Sequence, residues 1–262
     1  MQIAQDIYRA GAPKPRFVRL DLPRQTAIAI NGLERFGALS EAEAFQIRDA
    51  VMEADSIPAS GELIAEGEPL KRARVLLSGW AARIRFLSDG RRQIVAFHLP
   101  GDLYGYSDRP GATAPCATIA LTPTLSASLL GEGMERSDFR NGFGMAVSRA
   151  LALDEAYLLN QLVRVGRQTA YERCAHLILE LFYRLKAVSH NHDDSFVLPL
   201  TQETLSDALG LSVVHTNRTL QQLRRDRLIE TKNSTVCILQ KERLAEIGDF
   251  KPPTWPNVAK QR

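Results

Sequence analysis

Cysteine, histidine and long apolar runs are all scarce in this chain of 262 residues. Its three cysteines, Cys116, Cys174 and Cys237, lie far apart and form no CxxC or Cys/His pattern, which argues against zinc or an iron–sulfur cluster. No nucleophile elbow, phosphate loop or persuasive pair of catalytic carboxylates is present, so neither an enzyme nor a bound cofactor is expected. His98 stands alone in its β-rich surroundings, too few ligands for a cupin-like metal centre. His190 and His192, in SHNHDDS beside Asp193 and Asp194, read as a polar interdomain loop rather than a metal site. The apolar runs are too short for a membrane span, and the start MQIAQDIYRAG lacks the basic and hydrophobic regions of a signal peptide. The expected location is therefore the cytoplasm. A net charge of +3 says little by itself, but Arg218, Arg224, Arg225, Arg227, Lys232, Lys241 and Arg243 concentrate positive charge near the C-terminus.

That cluster surrounds the most informative stretch, TQETLSDALGLSVVHTNRTLQQLRRDRLI, from Thr201 to Ile229. Leu205 and Leu209 share one face of a first helix, with Ser206 and Ala208 small enough for a second helix to approach. Gly210 supplies a turn, Leu211 fills the elbow, and Ser212 is a good N-cap. In the helix that follows, Thr216, Leu220 and Leu223 point inward, while Val213, Asn217, Gln221 and Arg224 line the opposite face. Beyond Leu228, two short strands around Asn233-Ser234 predict a wing whose tip carries Lys232. Cys237, on that wing, reads as a small hydrophobe rather than a redox centre.

The small residues, glycine turn, Ser212 cap and Arg218 fall at the spacing of the helix-turn-helix of Crp/Fnr transcription regulators, which this segment resembles. Two departures stand out. Thr216 and Thr219 replace branched aliphatics, and Val214 occupies a position where well-known members carry a base-reading Glu. The resemblance implies DNA contacts from Gln202, Ser212, Val213, Val214, His215, Asn217, Arg218, Gln221 and Lys232. It also implies a two-fold symmetric double-stranded DNA site, a homodimer, and RNA polymerase as a further candidate partner.

Residues 60 to 130 have the punctuation of a barrel or jelly roll. Val75 to Leu77 runs into Ser78-Gly79, Ala82, Ile84 and Phe86 alternate with Arg83 and Arg85, Asp89-Gly90 marks a hairpin, and Pro100-Gly101-Asp102 a turn. LLSGWAARIRFLSDGRRQIVAFHLPGDL resembles the family's N-terminal sensor, a cyclic-nucleotide-binding β-roll in its founding members. Asp102 stands where the family has Glu, but Tyr104 and Tyr106 crowd a region normally small. The expected phosphate Arg and Ser would fall near Ala114 and Pro115, which cannot serve. Cyclic nucleotide binding is therefore not expected. Arg109 reads as a solvated loop cation, and no effector residue can be named.

Between roll and reader, Asp138 to Val165 predicts a long helix. Leu151, Leu158, Leu162 and Val165 recur, with Val147, near coiled-coil spacing, with Asp154 as a polar interruption. A second helix from Arg167 to Leu185 follows Gly166, the expected hinge.

The fold class is thus α+β: a 1–34 N-terminal arm, which Pro13, Pro15 and Pro23 mark as extended chain to about residue 30, a 35–134 β-roll sensor, a 135–166 dimerisation helix, a 167–250 winged helix-turn-helix and a 251–262 tail. A constitutive regulator with a merely structural roll is one alternative. An effector-binding β-roll protein acting through a protein partner is another, but it would have no use for Ser212 to Arg225.

Overall fold

The computed structural model describes residues 21–107, 109–129, 142–188 and 193–252. Pro13 and Pro15, the expected helix start at Asp138, the His190/His192 pair and most of the tail fall outside them.

Pro23 begins a helix instead of marking extended chain. α1 (Leu22–Glu34) takes Asp21 as N-cap and carries proline in its first turn, where the missing N–H has no intrahelical partner to lose. The extended arm expected over residues 1–34 therefore does not extend over Leu22–Glu34. α2 (Glu41–Met52) starts on a Ser40/Glu43 capping box. Both helices bury their apolar faces, Ala29, Leu33, Ile47 and Val51, against the roll.

The roll comprises β1 (Asp55–Ile57), β2 (Glu62–Ile64), β3 (Lys71–Ser78), β4 (Ala81–Phe86), β5 (Arg92–His98), β6 (Leu103–Tyr106), β7 (Ala117–Ala120) and β8 (Thr124–Ser128). One antiparallel sheet has the order β1-β8-β3-β6 and the other β2-β7-β4-β5. Alternation along β3 sends Val75 and Leu77 toward α1 and α2, while Leu76 joins Leu63, Ile64, Ala81 and Tyr104 in a core drawn from both sheets. The β4–β5 hairpin turns where Asp89-Gly90 predicts, with Gly90 at φ +86°.

α3 (Gly142–Arg167) leaves the roll with its first turn anchored by Glu43 of α2, which accepts from the Phe143 N–H at 2.7 Å. Gly166 is not the break. The helix runs through it, and the chain turns at Gln168-Thr169, where Thr169 and Glu172 form the capping box that opens α4 (Ala170–Lys186). A glycine costs a helix only about 1 kcal/mol. A reciprocal cap that satisfies backbone donors of the next helix decides the boundary instead.

The C-terminal head comprises β9 (Ser195–Val197), α5 (Gln202–Leu209), α6 (Val213–Arg225), β10 (Ile229–Lys232), β11 (Thr235–Ile238) and α7 (Lys241–Gly248). Its sheet has the order β10-β11-β9, so the residues that follow the expected polar loop contribute a third strand to the wing. Head and roll share one apolar core, in which Trp80, Ile84, Ile94 and Phe97 meet Leu177, Leu181, Leu205 and Leu209.

A chain of buried charges crosses this junction. Asp102 accepts from Arg35 at 3.0 Å and from Arg184 at 2.5 Å, and Arg184 pairs with Glu180 at 3.2 Å, which in turn binds Arg164. Arg184 also donates to the Phe97 carbonyl at 2.7 Å and lies over the Tyr157 ring. Burial alone would raise the Asp102 carboxyl, but Arg184 and Arg35 outweigh it and hold the pKa at about 2. The carboxylate that stands where the family has Glu is thus spent on joining α1, the roll and α4.

Candidate nucleic-acid interface

α5 and α6 take their geometry from local chemistry. Thr201 caps α5 through the Thr204 N–H, Gly210 adopts φ +63° and ψ 37° at its end, and Ser212 caps α6 through the His215 N–H. Arg173 of α4 donates to the Leu209 carbonyl at 2.9 Å, satisfying a group the ended helix leaves free. The back of α5 is fixed to the roll and to α3: Arg92 of β5 pairs with Asp207, and Gln93 of β5 and Gln161 of α3 donate to the Asp207 and Ala208 carbonyls, each at 2.7 Å.

This docking turns α6 outward. Thr216, Thr219 and Leu223 are its buried residues, whereas Val213, Val214, His215, Arg218, Gln221 and Arg224 are exposed and Asn217 is half-buried. The two threonines differ in how they replace aliphatics. Thr219 donates to the His215 carbonyl at 2.9 Å, but the buried Thr216 hydroxyl has no partner among the described residues, an arrangement that costs about 1–3 kcal/mol against a satisfied one.

The expected contact residues lie around this surface. Gln202 opens α5, Ser212 to His215 form the exposed start of α6, and Arg218 and Gln221 continue its outer face. The Arg218 guanidinium has no partner among the described residues, which leaves its planar donor fork free. Gln221 donates to Asn217 at 3.4 Å. Arg224, by contrast, is turned to the wing, donating to Thr231 at 2.8 Å, and so braces the wing against α6. The wing hairpin turns at Asn233 (φ +48°) and Ser234 (φ +61°), presenting Lys232 to solvent. Lys241 does not join the basic surface: its ammonium is bound to Asp194 at 2.5 Å and lies over Phe182. Cys237 is half-buried on β11, while burial raises the Cys174 thiol to about 12.

α3 has an apolar stripe that the described residues leave uncovered. Leu162 is 66% exposed, Leu159 58% and Val163 54%. Leu158 and Val165 are half-buried at its edge, but Leu151 packs against the chain's own roll core. Of the expected seam, Leu162 lies in the middle of the stripe and Leu158 and Val165 at its edge, and the stripe adds Leu159 and Val163, which heptad counting missed. Asp154 is not a seam residue; it pairs with Arg83 at 2.9 Å.

The roll cavity where the family pattern would place a cyclic nucleotide is small. The cavity bounded by Leu103 to Tyr106, Ala114 to Cys116 and α3 measures about 80 Å³, well below the ~300 Å³ lower bound of ordinary ligand pockets. Tyr104 is buried in it with its hydroxyl bonded to Ser126, and the Arg83 guanidinium is already paired. His98, which also lines it, is driven to a pKa of about 3 by burial and by Arg83, so it is neutral at physiological pH. Arg109 is exposed on its loop.

Comparison with known proteins agrees with this geometry. The Crp-like helix-turn-helix domain matches residues 172–247. Over 205 residues the chain is 31% identical to the transcriptional activator protein FnrL of Cereibacter sphaeroides, covering 74% of this chain and 80% of that protein. It is 28% identical over 187 residues to the nitrogen fixation regulation protein FixK of Rhizobium meliloti, covering 71% and 82% of the two chains. Among solved structures, FixK2 from Bradyrhizobium japonicum superimposes with a TM-score of 0.61 at 25% identity, over 78% of this chain and 98% of that one. With an exposed recognition helix, a braced wing and relatives of this kind, the chain belongs to the Crp/Fnr family of DNA-binding transcription regulators.

Proposed function

We propose that α6 reads base edges through Arg218, with Val213, Val214, Asn217 and Gln221 beside it, while Gln202, Ser212, His215 and Lys232 hold the phosphate backbone. The observation that carries this reading is the unpaired Arg218 fork on the solvent face of a helix whose back is locked to the roll. Val214 offers only methyl contacts, so the preferred sequence departs from one read by a Glu at that position. Two heads act together: α3 pairs with its counterpart in a second copy through Leu158, Leu159, Leu162 and Val163, and each protomer divides into the roll, this helix and the head from residue 167 onward. The signal is one other than cyclic AMP, supported by the 80 Å³ cavity and by the commitment of Asp102 to arginines. The protein acts on double-stranded DNA in the cytoplasm, with RNA polymerase as a further partner, and performs no catalysis.

Selection from a random DNA pool tests this directly. The expected product is a two-fold symmetric sequence with half-site centres about 34 Å apart, one helical turn. Enrichment of a single asymmetric half-site, or of no sequence at all, would contradict the dimeric arrangement.

A further inference from the structure

A larger cavity lies where α1, the roll and the head meet, and nothing in the family resemblance or the DNA interface uses it. Its volume is about 480 Å³, within the ~300–1,000 Å³ of small-molecule pockets and several times that of the roll cavity. The walls are mainly apolar: Ile28 of α1, Trp80 and Pro100 of the roll, Phe182 and Leu185 of α4, and Phe196 of β9.

Two cations stand in this lining against one carboxylate, Asp193. Arg24, exposed on the first turn of α1, has no side-chain partner among the described residues. The Lys186 ammonium is loosely engaged, 3.6 Å from Asp194 and 5.1 Å from the centre of the Phe182 ring. An apolar chamber with an unpaired guanidinium suits a ligand with an apolar body and one negative charge, since a bidentate carboxylate would satisfy Arg24 while the body covers Trp80 and Phe182.

We propose that this cavity is an effector site for an apolar monocarboxylic acid, aromatic or medium-chain aliphatic. The proposal rests on the reading of the chain as a regulator whose signal is not cyclic AMP. The cavity is well placed to act on the head. Phe196 pairs with Val236 across the wing sheet, so a ligand there touches the DNA-binding unit directly, while Trp80 and Pro100 belong to the roll. The wall also abuts the buried charges: Val188 accepts from Asn31 and packs against Gly101, next to Asp102. A ligand that contacts all three bodies favours one head orientation by its differential affinity for it.

The test uses the full-length protein with trans-cinnamate and octanoate as probes, and cinnamamide, octanamide and cyclic AMP as controls. At about ten times the Kd, a carboxylate should raise the melting midpoint by roughly 3 to 6 °C and change affinity for the selected DNA several-fold. The two amides should do neither. Arg24→Ala, on an exposed position, should weaken carboxylate binding at least tenfold, and Ala27→Trp, which fills the mouth, should abolish it. Absence of any shift with either carboxylate overturns the site while leaving DNA recognition intact. Binding that survives both substitutions overturns its location, and binding without a change in DNA affinity overturns the effector role. A saturable response to cyclic AMP would instead overturn the underlying reading of the signal.

Discussion

Asp102→Asn is expected to destabilise the folded chain by about 3 to 5 kcal/mol, because it removes one of the two carboxylates that balance the buried Arg184 and the partner of Arg35. The same pairing fixes a pH dependence. With the folded pKa of Asp102 held at about 2, below the usual carboxylate value near 4, its contribution is fully present above about pH 4. It is lost as pH falls through about 2. Glu180 acts in the same direction, since Arg164 and Arg184 lower its carboxyl against the opposing effect of burial. Urea unfolding at neutral pH and again between pH 4 and 2 measures both effects: the native chain loses stability on acidification, and Asp102→Asn starts lower and loses less. A variant within about 0.5 kcal/mol of the native protein at neutral pH would show that the ion chain contributes nothing to the junction.

Leu162→Asp is expected to convert the dimer to monomer and to lower affinity for a two-fold DNA site at least about a hundredfold, the loss expected when one of two linked heads disengages. The position is 66% exposed in the protomer, so the new carboxylate meets water in the monomer and an apolar seam only in the dimer. The melting midpoint of the protomer should therefore stay close to native while the sedimentation coefficient falls. A Leu162→Asp protein that still sediments as a dimer would place the two-fold contact elsewhere than on Leu159, Leu162 and Val163.

How much of this is legible in the sequence depends on the span over which each feature is encoded. The helix-turn-helix is local: Leu205 and Leu209 set a face, Gly210 a turn and Ser212 a cap within a dozen residues, and each stands where the spacing places it. The roll is legible for a similar reason, since its hairpins are marked by Gly79, Gly90 and Gly101, all at positive φ. Features encoded by competition between neighbours are less so. Gly166 looks like a break until the Thr169/Glu172 cap three residues later is weighed against it, and Pro23 looks like extended chain until Asp21 is seen to cap a helix. Features encoded at long range are not legible at all. Asp102 meets Arg35 and Arg184 from 67 and 82 residues away, and β9 joins the wing through β11, so neither pairing leaves a periodic trace. The seam is an intermediate case. Apolar spacing marks α3 as two-faced, but only packing shows that Leu151 is spent on its own roll and that Leu159 is not.

Base reading by Arg218 is the centre of this account, and the measurement that tests it most directly is a titration of native protein, Arg218→Ala and Lys232→Ala against single-base variants of the selected DNA at two salt concentrations. Arg218→Ala should cost about 1 to 3 kcal/mol per half-site and erase discrimination at one base pair, as expected when a bidentate contact to guanine is removed. Lys232→Ala should weaken every sequence alike and flatten the salt dependence. If Arg218→Ala loses affinity equally for all variants, its guanidinium holds a phosphate, and the assignment of sequence reading to this residue is wrong.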